Sequence, residues 1–298
     1  MVDRQVKWVQ VEGRAIRVSH PNKPIFPDVN LNKWEYLLHL LNLAPHLLSY
    51  TKARLLTVIR YPHGVPGESF YQKNAPSYLP DWIPTVDQNG TRYILLQDAP
   101  SLIWLGNQLC LEFHTGFHLY TDNRPQELVF DLDPSTEEWS DVQSVALHIY
   151  ALLQELHLHS GVKTSGSRGL QIVIPLIPRY TYQQTRQVLS FIARYICERY
   201  PLLATIERAK KNRGGRVYID YVQHGQGKSL ISAYSPRARS EATISMPLTW
   251  EEVRAGRRPN EFTLMSLARW LEKRPDPLAP LYEDTNRQSI DSILRFLK

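Results

Sequence analysis

Two aspartates one residue apart, Asp131 and Asp133, end a strongly apolar run that reads Leu128-Val129-Phe130-Asp131-Leu132-Asp133-Pro134. In a strand, side chains alternate faces, so both carboxylates point one way while Phe130 and Leu132 point the other. Their Cα atoms then lie roughly 6.6 Å apart, a spacing at which two carboxylates can grip one or two divalent cations. A second apolar run, Val217-Tyr218-Ile219-Asp220-Tyr221-Val222, carries another acid in its middle. Three strand-borne carboxylates suggest a metal site that handles phosphates. The plainer alternative makes Asp131 and Asp133 strand-end or turn residues, because Asp-Pro favours turn initiation. Asp220 resists that alternative, since a charge inside an apolar strand needs a partner.

A second segment, Lys163-Thr164-Ser165-Gly166-Ser167-Arg168-Gly169-Leu170-Gln171, runs into the apolar stretch Ile172-Val173-Ile174-Pro175. Its small residues let backbone N–H groups approach a polyphosphate closely. Ser165 and Ser167 offer hydroxyls, and Arg168 offers a charged fork for phosphate oxygens. The spacing is not that of a Walker A loop, and a Gly-Ser hairpin loop is the competing interpretation. After Asp220 comes a glycine-rich turn holding Lys228, then Tyr234-Ser235-Pro236-Arg237-Ala238-Arg239. Before it lies the basic run Lys210-Lys211-Asn212-Arg213-Gly214-Gly215-Arg216. Such a run is usually a solvated loop; next to three acids, Arg213, Lys228 and Arg237 point instead to phosphate binding.

Near the N-terminus, His20-Pro21-Asn22-Lys23-Pro24-Ile25-Phe26-Pro27 precedes a helix whose first turn holds Lys33 and Trp34. Lys23 and Lys33, paired around a helix N-terminus, could hold a terminal phosphate of DNA, although either alone reads as a surface charge. Arg60-Tyr61-Pro62 and Phe70-Tyr71-Gln72-Lys73-Asn74 mix basic and aromatic residues. That mix suits base stacking by Phe70 and Tyr71 beside a charged track; core packing is the alternative. His114 and His118 have the i, i+4 spacing of zinc ligands, but no HExxH is present and Gly116 argues against a helix. A satisfied polar histidine is the default, with His114 able to face the acidic site from the end of an alternating run.

The elements that must position these residues follow from the pattern. The chain has 298 residues, enough for one large domain or two small ones. With no repeat, no linker and its 21 prolines spread out, it is taken as a single domain, 1–298. A helix is expected from Lys33 to about Leu43, with Pro45 near its end. Strands are expected at Leu55–Arg60, Arg92–Gln97, Leu128–Asp133, Gln171–Pro175, Arg216–Val222 and Ser229–Ala233. Ser135-Thr136-Glu137-Glu138 looks like a capping box opening a helix toward Leu156. Thr181-Tyr182-Gln183-Gln184 opens another toward Glu198, Thr249-Trp250-Glu251-Glu252 a short one, and a last helix covers about Leu264–Glu272. Strand pairs with intervening helices indicate α+β rather than a strict βαβ array.

Composition bounds the partners. No apolar stretch approaches the roughly 20 residues of a membrane helix, and no secretory signal is expected. Cys110 and Cys197 stand far apart, which fits a reducing cytoplasm and excludes a cysteine-based zinc module. The net charge of +6 is consistent with an acidic partner such as nucleic acid.

Taken together, Asp131-Leu132-Asp133-Pro134, the Thr164–Gly169 loop and the third acid within Val217–Tyr221 resemble the archaeo-eukaryotic primase superfamily. More specifically, the chain resembles the polymerase domain of bacterial ligase D, which works in non-homologous end joining. Gly67-Glu68-Ser69-Phe70-Tyr71-Gln72-Lys73-Asn74-Ala75-Pro76 and Tyr234–Arg239 add to the match, which runs from about Val18 to Trp270. The resemblance implies a primase-polymerase fold, an RRM-like catalytic sheet module packed with a second α/β subdomain. It implies that Asp131, Asp133 and Asp220 hold two manganese or magnesium ions. It implies that Ser165, Ser167, Arg168, Arg237 and Lys228 contact a triphosphate, with His114 near the nucleotide. Lys23 and Lys33 would hold the 5′-phosphate of a recessed end, and Phe70 and Tyr71 would stack on bases. It further implies a preference for NTPs over dNTPs, gapped DNA as partner, and a nucleoid-associated setting. No Lys-x-Asp-Gly adenylation motif is present, so a separate DNA ligase is expected, with a Ku-like protein implied by family alone. Gln171 stands where the family usually has histidine, Arg168 where lysine is common, and His20 where asparagine is frequent. Competing functions are a primase that starts chains de novo, a metal-dependent nuclease, and a non-catalytic module that bridges DNA ends.

Overall fold

The computed structural model describes residues 6–272 and 274–297. Its centre is a six-stranded sheet in the order Ala204–Thr205, Val217–Asp220, Glu127–Asp133, Leu170–Pro175, Gly161–Thr164 and Pro247–Leu248. Glu127–Asp133 is flanked by antiparallel neighbours on both sides. Its alternation sorts two environments. Leu128, Phe130 and Leu132 are fully buried in the main core, under the helices Trp139–Glu155 and Tyr182–Arg199. Val129 faces the other way and packs with Val173 against Phe117 and Leu230. Asp131 and Asp133 continue the Val129 face, where the sheet opens into a cleft.

A second sheet stands across that cleft. Asp122–Pro125, Cys110–Leu119, Arg54–Arg60 and Phe70–Gln72 lie side by side, and Ser229–Ile231 also pairs with Cys110–Leu119. Arg54 spans the two sheets, giving Glu127 two hydrogen bonds of 2.7 Å each. The helices Lys33–Thr51 and Ala99–Asn107 pack on each other and against this sheet. An N-terminal hairpin, Val6–Val11 with Arg14–Ser19, completes that side. Among the described residues no helix is long and apolar enough to cross a membrane.

Several boundaries differ from the sequence pattern, each for a physical reason. The first helix does not stop near Leu43 but runs through Pro45 to Thr51. Proline inside a helix costs about 3 kcal/mol, and burying Leu47 and Leu48 beyond it returns about 1.5–3 kcal/mol each. The Ser135 box does not cap its helix. Ser135 Oγ donates to the Arg216 carbonyl (2.6 Å), and the helix begins at Trp139 behind Glu138, which makes no side-chain cap. The third-acid strand ends on Asp220 instead of running to Val222, because Asp220 Oδ1 accepts from Gln223 N (2.9 Å) and turns the chain. Two other strands are shorter than expected, Thr91–Ile94 and Ser229–Ile231, and the helix near Leu264 covers only Leu267–Leu271.

Candidate active site

Four consecutive strands of the central sheet each contribute one residue to a transverse row. Asp220 pairs with Asp131, Asp131 with Gln171, and Gln171 with Lys163. Directly opposite residues share a face, with Cβ atoms about 4.5–5.5 Å apart, so two like charges there repel. Asp133 lies one pleat further along the central strand, on the same face. All three aspartates line one cavity of about 370 Å³ with Ser165, Ser167, Arg168, Arg213, Arg237, His114 and Tyr71.

The row is held from its far end. Gln171 Nε2 donates to Asp131 Oδ1 (3.0 Å), and Gln171 Oε1 accepts from Lys163 Nζ. Lys163 is buried, and its ammonium also donates to the Ile231 carbonyl (2.9 Å) and Ser245 Oγ (2.8 Å). Burial, and then the neighbouring Asp133 charge, push the Asp131 carboxyl up to about 7. Asp133 is raised by burial and by Asp220. Burial pushes the Lys163 ammonium down to about 7. These acids are crowded and poorly solvated, and the nearby cations Lys163, Lys210, Arg213 and Arg237 do not fully offset that. Among the described residues, no three His, Cys, Asp or Glu side chains are already drawn together into a set that could hold a metal ion. The donor chemistry nevertheless fits one: carboxylate oxygens on one face suit a hard divalent cation, whose charge would relieve the repulsion that raises Asp131.

The Ser165–Gly169 loop borders the acids. Ser165 Oγ accepts from the backbone N–H groups of Ser167 (3.2 Å) and Gly169 (3.1 Å), which closes the loop and leaves its hydroxyl proton available. Gly169 is required, because a Cβ there would stand 2.1 Å from the Leu132 carbonyl oxygen. Gly166 takes φ +69°, and its Cβ would crowd Arg237. Arg168 lines the cavity while pairing with Glu137 at 2.5 Å. Across the cleft, Glu112 gathers His114 Nε2 (3.0 Å), Arg237 (3.2 Å) and the Ala238 N–H (3.1 Å). Burial raises the Glu112 carboxyl, but the His114 hydrogen bond and the Arg237 charge outweigh it and hold it low. His114 is lowered by burial, so a neutral imidazole faces the cavity.

Not every candidate reaches the cavity. Lys228 turns away and donates to the Val222 carbonyl (2.7 Å), a contact that closes its own turn. Arg213 lines the cavity but is partly committed, giving hydrogen bonds to the Glu207 (3.1 Å) and Arg208 (3.0 Å) carbonyls and covering the Tyr218 ring. Tyr71 is exposed at the cavity mouth with its ring edge-on to His114, whereas Phe70 sits under the Arg60 guanidinium, outside the lining. His118 bonds the Tyr182 hydroxyl (2.7 Å) and is no partner of His114. Lys163, Gln171 and Lys210, which the sequence motifs contain but to which no role was given, belong to the site's lining or support, as does Glu112, which no motif drew in.

Away from the cavity, Lys23 and Lys33 meet as the sequence suggested. Lys33 N donates to the Lys23 carbonyl (2.8 Å). The Lys33 ammonium reaches the Ser19 carbonyl (2.8 Å), and that of Lys23 reaches the Pro62 carbonyl. Burial, then the Lys23 charge, lower Lys33 to about 8. Among the described residues neither lysine is paired with a carboxylate, so an incoming phosphate would supply the missing counter-charge beside the helix N-terminus.

The sequence matches the family described as "LigD, primase-polymerase domain" over residues 32–278. It is 36% identical over 307 aligned positions to "Bifunctional non-homologous end joining protein LigD" of Bacillus subtilis, covering 99% of this chain and 50% of that protein. It is 30% identical to "Multifunctional non-homologous end joining protein LigD" of Pseudomonas aeruginosa, over 94% of this chain and 34% of that one. The chain thus spans half or less of the curated relatives it matches. The structure superposes with a TM-score of 0.84 on the "Polymerase Domain from Mycobacterium tuberculosis Ligase D in complex with DNA", at 25% identity over 90% of this chain and 98% of that one. The α+β sheet architecture and the family match agree: the chain belongs to the LigD primase-polymerase domain family, whose members are nucleotidyltransferases of the polymerase and primase type.

Proposed function

We propose that the chain adds nucleotides to a primer 3′-end opposite a template, filling gaps at DNA double-strand-break ends before ligation. The observation that carries this reading is the row of carboxylates beside the Ser165–Gly169 loop on one cavity wall. Asp131, Asp133 and Asp220 would hold two manganese or magnesium ions. Such ions, when bound, would activate the primer hydroxyl and neutralise the triphosphate and departing pyrophosphate. The protein's own groups do the positioning. Arg168 and Arg237 offer guanidinium forks to phosphate oxygens, and the Ser165 and Ser167 hydroxyls donate beside them. Neutral His114, oriented by Glu112, presents an uncharged edge to the nucleotide, and Tyr71 offers a ring at the mouth. Gln171, braced by Lys163, fixes which oxygen of Asp131 stays free.

NTPs are the substrates we expect to be preferred over dNTPs, by the family resemblance. The mycobacterial relative was solved with DNA, which supports DNA as the partner here; that it is a gapped duplex follows from the family resemblance alone. A DNA ligase activity and a Ku-like end-binding protein would complete the repair, in a cytoplasmic, nucleoid-associated setting.

Two results test the positioning groups. Gln171→Ala should lower the rate of nucleotide addition about 10- to 100-fold with little change in nucleotide affinity, and Gln171→His should keep most of the rate. Steady-state kinetics of single-nucleotide addition checks this; an unchanged Gln171→Ala rate contradicts the bracing role. Lys23→Ala should weaken binding to gaps carrying a 5′-phosphate while leaving binding to 5′-hydroxyl gaps nearly unaltered, read by fluorescence anisotropy. Equal loss on both DNAs contradicts the phosphate pocket.

A further inference from the structure

The N-terminal hairpin presents a face that nucleotide chemistry leaves unused. Trp8 on one strand stands directly opposite Arg17 on the other. Val11, Ile16 and Val18 are buried on the inner face, where the Lys7 ammonium also lies 4.7 Å from the Trp34 ring centre. Alternation puts Val6, Trp8, Gln10, Ala15, Arg17 and Ser19 on the outer face. Trp8 is 64% exposed there, and Arg17 is exposed beside it. The hairpin is not loose: Asn107 Nδ2 donates to the Arg17 carbonyl (3.0 Å), pinning it to the helix behind.

The outer face leads into the lysine pair. Ser19 ends it, and both the carbonyl (2.8 Å) and the hydroxyl (3.4 Å) of Ser19 accept from Lys33 Nζ. Arg17 is two residues up the strand from Ser19, roughly 6.6 Å. A nucleic acid strand of a duplex rises about 3.4 Å per nucleotide, so the spacing from Arg17 to Ser19, whose carbonyl holds Lys33, matches about two nucleotide steps. The six outer-face residues include no carboxylate. An exposed indole beside a guanidinium offers a base a stacking surface and its phosphate a charge, which is the chemistry of a nucleic acid strand rather than of an apolar protein segment.

We propose that Trp8 and Arg17 form a platform for the downstream DNA strand, holding the nucleotides immediately behind its 5′-phosphate. The proposal rests on the Lys23–Lys33 pocket and extends it along the hairpin. Both residues lie outside the catalytic cavity.

The test uses the full chain, with anisotropy titrations of gapped duplexes that carry or lack the downstream strand and its 5′-phosphate. Trp8→Ala should weaken binding about tenfold when the downstream strand is present and not when it is absent, and Trp8→Phe should restore most of the loss. Arg17→Gln should lower the dependence of log affinity on log salt by about one. Circular dichroism should match wild type for each variant, since both side chains are exposed. Wild-type affinity of Trp8→Ala and Arg17→Gln, alongside lost phosphate discrimination in Lys23→Ala, overturns the platform and leaves the pocket standing. Phosphate discrimination retained in Lys23→Ala removes the pocket and the platform with it. Equal weakening of DNA without a downstream strand, or a Trp8-dependent dimer by sedimentation with no change in DNA affinity, also overturns the platform.

Discussion

Asp133→Ala is expected to abolish nucleotide addition, by about a thousandfold or more, in a variant that should still fold and still bind gapped DNA. The size follows from what the carboxylate is asked to do. Holding a divalent cation against a developing charge is worth several kcal/mol of barrier, and about 1.4 kcal/mol corresponds to a factor of ten. Fold and DNA binding should survive, because Asp133 is absent from the apolar core and the cavity it lines includes neither Lys23 nor Lys33. The ion-free protein should even tolerate the change well. Burial and the neighbouring Asp220 charge raise Asp133, so removing one carboxylate relieves repulsion in the absence of an ion. The thermal midpoint of the metal-free variant is therefore expected at or above that of wild type. A midpoint several degrees lower, or retained synthesis, contradicts the placement of Asp133 in the site.

Glu127→Ala carries the largest expected loss of stability. Glu127 begins the central strand of one sheet and Arg54 begins a strand of the other. Their paired 2.7 Å hydrogen bonds are nearly buried, with side-chain exposures of 6% and 11%. Arg54 also donates to the Gly116 carbonyl (3.0 Å), so it anchors both edges of the cleft. Removing one member strands a guanidinium in a poorly solvated position, at a cost of about 3–5 kcal/mol. For a chain of this size the thermal midpoint should fall by on the order of 10 °C. Replacing both residues with apolar ones, Arg54→Met with Glu127→Leu, should recover most of the loss, because no charge is then left unpaired. Denaturant melts of the three variants check this. A drop below about 1 kcal/mol for Glu127→Ala would show that the pair is weakly coupled to folding.

How much was legible in advance depended on whether a residue's partner lay along the chain or across it. Period-two alternation was enough to put Asp131 and Asp133 on one face, opposite Phe130 and Leu132. The capping boxes at Thr181 and Thr249 form as the local sequence indicates, because both partners sit within one turn. Lys163 was not legible. A lysine between Val162 and Thr164 looks like a surface charge until the pairing of Gly161–Thr164 with Leu170–Pro175 sets it against Gln171. Gln171 looked like the loss of a family histidine, and only the register shows it bridging Asp131 and Lys163. The helix Ala99–Asn107 escaped notice because all its residues are buried, which leaves no amphipathic stripe to detect. Cys110–Leu119 hid for a related reason: it is buried on both faces, yet carries Glu112, His114, Thr115 and His118, whose partners are mostly distant in sequence. Lys228 misled in the opposite sense, since a cation near the acids in sequence is used to close its own turn.

Primer extension on a gapped duplex, with NTPs or dNTPs and manganese or magnesium, tests the central claim most directly. Template-directed addition that is faster with NTPs, stronger when the gap carries a 5′-phosphate, and absent on chelation is the predicted result. Tight binding to the same DNA with no nucleotide added under any of these conditions contradicts it, and makes the chain a module that bridges ends without extending them.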